Sequence, residues 1–132
     1  MALYDVLQTS GSGMSVYRTW LEAISDNVSN MSTAKPTDEE AFQERFVIAE
    51  AANYGRAGGV RVAGIELGNP EGRVVWEPNH PLADEEGLVR YPDINLGDQM
   101  TNMILAQRGY QANLAVIERA RDAYTAALRI GS

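Results

Sequence analysis

The chain contains no cysteine, one histidine and two phenylalanines among its 132 residues. Without thiols there are no disulfides, no thiolate metal ligands and no cysteine nucleophile. Basic charge is also scarce: 11 Lys and Arg face 18 Asp and Glu, leaving a net charge of −7. A protein that binds phosphate backbones needs a basic footprint, so nucleic acid is not an expected partner. No window holds the roughly 18 to 20 continuous apolar residues of a membrane span. The amino terminus lacks a basic segment followed by an apolar run and a cleavage site, so no cleaved signal peptide is expected.

Catalytic and metal motifs are equally sparse. His80 lies between Asn79 and Pro81 with no second histidine to share a metal, and a serine triad would have to be built around it alone. Asp84-Glu85-Glu86-Gly87 is acidic but lacks the alternating oxygen ligands and distal glutamate of an EF-hand loop. Ser12 stands between Gly11 and Gly13, yet no strand precedes it and no Gly-x-Ser-x-Gly elbow, Walker loop or paired-glycine fingerprint is present. A solvated turn explains the acids better than a metal site. The sequence calls for no enzyme, no metal and no cofactor.

What the sequence does contain is two apolar seams. Leu3, Leu7, Met14, Tyr17, Leu21, Ile24, Val28 and Met31 recur at alternating spacings of three and four, with one skipped position at Ser10. Such spacing predicts a heptad-patterned helix. The stretch Ser10-Gly11-Ser12-Gly13 lowers helix propensity and marks either a hinge or a close helix crossing. At the other end Leu96, Met100, Met103, Tyr110, Leu114, Ile117, Tyr124 and Leu128 fall on one face, widened by Ile104 and several alanines. A helix over 96–129 follows. Gln107 and Arg121 take the remaining seam positions, Gly109 loosens the helix locally, and Gly131 stands where helices commonly stop.

Between the seams lie all five prolines and a series of short β-type runs: Arg45 to Ala49, Val60 to Leu67, Arg73 to Glu77 and Leu88 to Tyr91. Gly58-Gly59, Asn69-Pro70, Pro78 to Pro81 and Glu86-Gly87 punctuate them. The predicted organisation is α+β: a helix in 1–34, a small β-rich region in 35–95 and a helix in 96–132, the helices packing as an antiparallel coiled-coil-like pair. Charge follows the same division, with −2, −6 and +1 on the three segments. Helices of about 29 and 34 residues reach about 45 and 50 Å. The alanine-rich second face leaves apolar surface beyond one helix contact, which points to assembly.

Three ordered marks resemble a known family. Ser25-Asp26-Asn27-Val28-Ser29-Asn30 with Thr33 resembles the asparagine-rich amino-terminal signature of the flagellar rod, hook and hook-associated axial proteins. It departs at Asp26 and Ser29, where asparagine and alanine are common. The block from Gly58 through Pro78-Asn79-His80-Pro81-Leu82 to Tyr91-Pro92-Asp93-Ile94 is similar to the proximal rod subunits in particular. Arg108-Gly109-Tyr110-Gln111-Ala112-Asn113-Leu114 resembles the carboxyl-terminal signature of the axial proteins. The resemblance implies a structural subunit of the proximal rod that polymerises through its terminal helices into a torque-transmitting shaft and export-channel wall. It implies export by the flagellar type III apparatus without a cleaved signal, assembly in the periplasmic rod, and contacts with other rod proteins and with copies of the same chain. A coiled-coil binding module or secretion adaptor is the rival reading of the helices alone.

From the seams and the resemblance together, the expected subunit interface comprises Leu7, Met14, Leu21, Ile24, Asn27, Val28, Asn30, Met103, Tyr110, Gln111, Asn113, Leu114 and Ile117. Asn27 and Asn30 otherwise read as left-handed caps at a helix end. Tyr110 otherwise reads as core, and Gln111 and Asn113 as a solvated face. Each tryptophan can bury about 200 Å²: Trp76 is expected in the core of the β region, and Trp20, off the strict seam, against the β region or a neighbouring subunit.

Overall fold

The structure, a computed structural model, describes residues 2–55 and 58–132. Its elements in chain order are α1 (Ala2–Asn30), β1 (Arg45–Ala51), β2 (Val60–Leu67), β3 (Arg73–Trp76), β4 (Leu88–Tyr91) and α2 (Leu96–Ile130). The α+β organisation expected from the seams and turn residues is therefore present. α1 runs through Ser10-Gly11-Ser12-Gly13 without a break, so the hinge alternative is set aside. Asn95 opens α2 as an N-cap, its Oδ1 accepting the Asp98 N–H at 3.0 Å. Arg129 lies in the last turn of α2, where a cation complements the helix dipole.

β1 and β2 form one two-stranded sheet and β3 and β4 another. The first is antiparallel: Ala52 donates to the Gly59 carbonyl at one end, and Gly68 to the Glu44 carbonyl at the other. In the second, Arg73 pairs with Tyr91, Val74 with Arg90, Val75 with Val89 and Trp76 with Leu88. Lys35 adds a bridge to Arg90 through reciprocal N–H to carbonyl bonds of 2.8 and 2.9 Å. Gly72 is fixed by this hairpin: its φ is +59°, and a Cβ there would collide with the Tyr91 carbonyl oxygen.

Two compact units divide the chain. One comprises 1–21, 47–64 and 104–132, the other 22–46 and 65–103. We refer to them as the first and second units. The second holds most of the buried apolar side chains among the described residues: Ala23, Ile24, Ala41, Val89, Pro92 and Ile94. Each larger one contributes about 1.5 to 3 kcal/mol by burial.

Trp76 is not part of that core. It is 69% exposed. Side chains alternate faces along a strand, and the Val75 and Val89 pair points inward, so the adjacent Trp76 falls on the opposite, solvated face. Trp20 does meet the β residues. In the first unit it lines an open apolar groove of about 290 Å³ with Gly13, Val16, Tyr17, Val47, Ala49 and Val60, and its ring lies 6.2 Å from that of Tyr17.

Candidate functional site

The two helices meet within the first unit through reciprocal small and large residues. A Cβ on Gly13 of α1 would lie 2.8 Å from Nδ2 of Asn113 on α2, and a Cβ on Gly109 of α2 would collide with Cζ of the Tyr17 ring of α1. Moving four residues along α1, from 13 to 17, moves four residues back along α2, from 113 to 109. The segments are antiparallel and cross closely, since each glycine admits a side chain that any other residue would displace. Gly109 therefore tightens the crossing instead of loosening the helix. Asn113 also donates Nδ2 to the Gly109 carbonyl at 3.0 Å, one turn back, which fixes its amide across the crossing.

α1 carries two polar clips, each holding the first residue of a strand. In the first unit Ser12 Oγ accepts the Val60 N–H at 3.2 Å and donates to the Thr9 carbonyl at 2.7 Å. In the second, Asn27 Oδ1 accepts the Arg45 N–H at 2.8 Å while its Nδ2 donates to the Arg45 carbonyl at 3.1 Å. Asn27 thus satisfies both backbone groups of the residue that opens β1, as a neighbouring strand would. Its Nδ2 also donates to Gln99 Oε1 at 3.2 Å, and Gln99 Nε2 donates to Glu44. Asn27 and Gln99 are both 1% exposed. Desolvation holds the Glu44 carboxyl above its usual range against the Gln99 hydrogen bond, with Asp98 and Asp93 raising it further.

Neither Asn27 nor Asn30 is a left-handed cap, because no described non-glycine residue has positive φ. Asn27 lies one turn inside α1. Asn30, at its last position, donates Nδ2 to the Asp26 carbonyl at 2.8 Å. Both asparagine side chains are thus engaged within the chain.

The thirteen expected interface residues fall in different environments. Ile24 and Asn27 are buried. Val28, Asn30 and Met103 in the second unit are half-buried, as are Met14, Leu21, Tyr110, Asn113 and Ile117 in the first. Met14 and Tyr110 line one shallow depression with Gly11, Ser15 and Arg18. Leu7 and Leu114 are exposed at 36% and 37%, and Gln111 is exposed as well. Further apolar surface lies open on α2 at Leu96, Met100, Ile104, Leu105, Val116, Tyr124 and Leu128, and every residue from 121 to 132 is exposed. A long stretch of α2 thus leaves apolar side chains open to solvent.

Ser12, Gly13, Glu44, Gln99 and Gly109 carry geometry that the apolar periodicity did not single out. The glycine pair had a signal in its placement inside strongly helical segments, where glycine is costly unless a close approach requires it. Gln99 had none, since one polar residue in the first turn of a helix is ordinary.

No group of three or more His, Cys, Asp or Glu that could hold a metal exists among the described residues. None of the described helices is long and apolar enough to cross a membrane.

Residues 85–130 match the family model of the flagellar basal body rod FlgEFG protein C-terminal region. Flagellar basal-body rod protein FlgC of Yersinia enterocolitica is 32% identical to the chain over 99% of each. That of Borreliella burgdorferi is 30% identical over 98% of each, and that of Salmonella typhimurium 29% identical over 99% of each. With this coverage and identity, the chain belongs to the FlgC family of flagellar basal-body rod proteins.

Proposed function

We propose that the chain is a structural, non-catalytic subunit of the proximal rod of the flagellar basal body, polymerising through the faces of its terminal helices. The observation that carries this reading is the apolar surface of α2, open at Met100, Leu114, Tyr124 and Leu128 along a single heptad seam. In a tube wall each of these side chains would enter a hole formed by a neighbour's helix. Shear along the shaft must then remove many packed side chains together, which suits a part that transmits torque. Partners in this reading are copies of the chain, the other rod proteins and the flagellar type III export apparatus. Its destination is the periplasmic rod, reached without a cleaved signal.

Location and route are tested together. A tagged chain should cofractionate with purified basal bodies, carry its unprocessed amino terminus, and remain in the cytoplasm of a strain lacking the export apparatus. Periplasmic delivery in that strain, or a processed amino terminus, contradicts the proposed route. Absence from basal bodies contradicts the rod assignment.

A further inference from the structure

β3, in the second unit, is an edge strand with one side unused. Arg90 of β4 exchanges backbone hydrogen bonds with Lys35, so its neighbours Val89 and Tyr91 are the residues that bond β3. Their partners are Val75 and Arg73, and Glu77 continues the ladder by donating to the Gly87 carbonyl at 2.8 Å. The N–H and carbonyl groups of Val74 and Trp76 therefore point away from β4, where they make no hydrogen bond among the described residues. Both side chains are also open, at 46% and 69% exposure.

Such a row of free backbone groups is a template for another strand, and proteins commonly blunt it with charge. Here the charges are opposite in sign and symmetric: in Arg73-Val74-Val75-Trp76-Glu77 a cation stands two residues before Val75 and a carboxylate two residues after it. Two copies of this strand laid antiparallel with Val75 facing Val75 set Val74 against Trp76 twice and Arg73 against Glu77 twice. Val74 and Trp76 then form the hydrogen-bonded pairs, the parity that their outward N–H and carbonyl groups require. Aromatic against β-branched and cation against carboxylate are both favourable cross-strand pairs. Sliding by two residues keeps the parity and loses the match: one direction sets Glu77 against Glu71, the other Arg73 against Asn79. Neither charge is already neutralised. Arg73 lies over the Tyr91 ring, 5.1 Å from its centroid, and Glu77 accepts the Tyr91 hydroxyl on Oε2 at 2.7 Å, but neither makes an ion pair among the described residues.

We infer that the occupant of this edge is a second copy of the chain: the β3 strands of two copies pair antiparallel about a two-fold axis at Val75, joining two hairpins into one four-stranded sheet. The contact is isologous, so it closes as a dimer and does not propagate. Copies in a rod built from heterologous contacts all point one way, whereas the two paired copies oppose one another. The pair therefore belongs to chains outside the rod, and it uses no residue of the α2 seam. The inference goes beyond the rod role and does not rest on it.

Amide exchange on the full-length chain, read across a concentration series, is the test, with sedimentation equilibrium supplying the paired fraction. The Val74 and Trp76 N–H groups should exchange freely in dilute solution and about tenfold more slowly once roughly nine-tenths of the chain is paired. The Val75 N–H, which faces β4, is the reference. Val74→Pro removes an outward N–H and no bond to β4, a place where an edge strand tolerates proline, and should abolish the protection at Trp76. Arg73→Glu and Glu77→Arg should each weaken pairing about tenfold by setting like charges opposite one another. Mixing these two variants should restore pairing between them, since every facing pair is then again of opposite sign, and restoration cannot come from misfolded chains. Exchange at Val74 and Trp76 that slows at no soluble concentration overturns the inference. So does protection at Trp76 that survives Val74→Pro, or no restoration between charge variants that retain wild-type circular dichroism.

Discussion

The Tyr17 ring of α1 occupies the space that a side chain at Gly109 of α2 would need. Gly109→Ala should therefore destabilise the protein by about 1 to 3 kcal/mol, the cost of overpacking, despite alanine's better helix propensity. Gly11 is the internal control. It lies in the same helix as Tyr17 with nothing within 4 Å of its would-be Cβ, so Gly11→Ala should stabilise by about 0.5 to 1 kcal/mol. Urea denaturation of the two variants checks this, and the same sign for both would contradict the crossing.

Asn27 is the second fixed point. Asn27→Ala removes three side-chain hydrogen bonds and leaves the Arg45 backbone and Gln99 without those partners in a buried setting. We expect a loss of about 1 to 3 kcal/mol. Amide exchange at Arg45, the opening residue of β1, should accelerate more than at Val60, whose N–H is held separately by Ser12. Equal acceleration at both would place the effect elsewhere.

The apolar periodicity carried most of the fold. Both helices and all four strands were legible, because heptad spacing and alternating runs bounded by Pro and Gly are local properties of the chain. Trp76 was not legible: its face depends on register, and shifting parity by one residue moves a side chain from core to solvent. Asn27 was visible only as part of a family signature, and its work on Arg45 is a contact across 18 residues that no local pattern reports. Gly109 read locally as a weak point, since its partner is Tyr17, 92 positions away in sequence. Of the expected interface residues on the seams, Leu114 is open to solvent at 37% exposure. Ile24 shares that kind of spacing but is buried in the folded chain.

Two carboxylates should give opposite pH signatures. Glu44 has a raised pKa in the folded protein, chiefly from desolvation, so its favourable contribution is present below the unfolded value near 4.5 and is lost as pH rises through the folded value. Glu44→Gln should stabilise the protein at pH 7, with the advantage shrinking in acid. Asp84 has a lowered pKa, because its carboxylate accepts the Leu88 N–H, the Thr37 hydroxyl and the Glu86 N–H. Its contribution is present above the unfolded value near 3.8 and lost as pH falls through the folded one, so Asp84→Asn should destabilise at pH 7 and matter less in acid. Melting temperatures from pH 3 to 7 decide both. A less stable Glu44→Gln at pH 7 contradicts the first.

Next to Asp84, Glu85 is exposed and makes no side-chain hydrogen bond or ion pair among the described residues. Glu85→Gln should change stability by under about 0.5 kcal/mol and leave motility intact. Lost motility at normal protein levels would assign that turn a contact of its own.

If the open seam of α2 is an assembly surface, Leu114→Asp should disrupt it. Leu114 is 37% exposed in the isolated chain, so a carboxylate there should cost the lone subunit little. In an assembled wall the same carboxylate would be desolvated without a partner, against a position worth roughly 1.5 to 3 kcal/mol when apolar and buried. The variant is expressed in a strain lacking the native protein, and export, basal-body completion by electron microscopy and swimming are scored. A folded, exported subunit with no completed rod and no swimming is expected. Complete rods and normal swimming would contradict it.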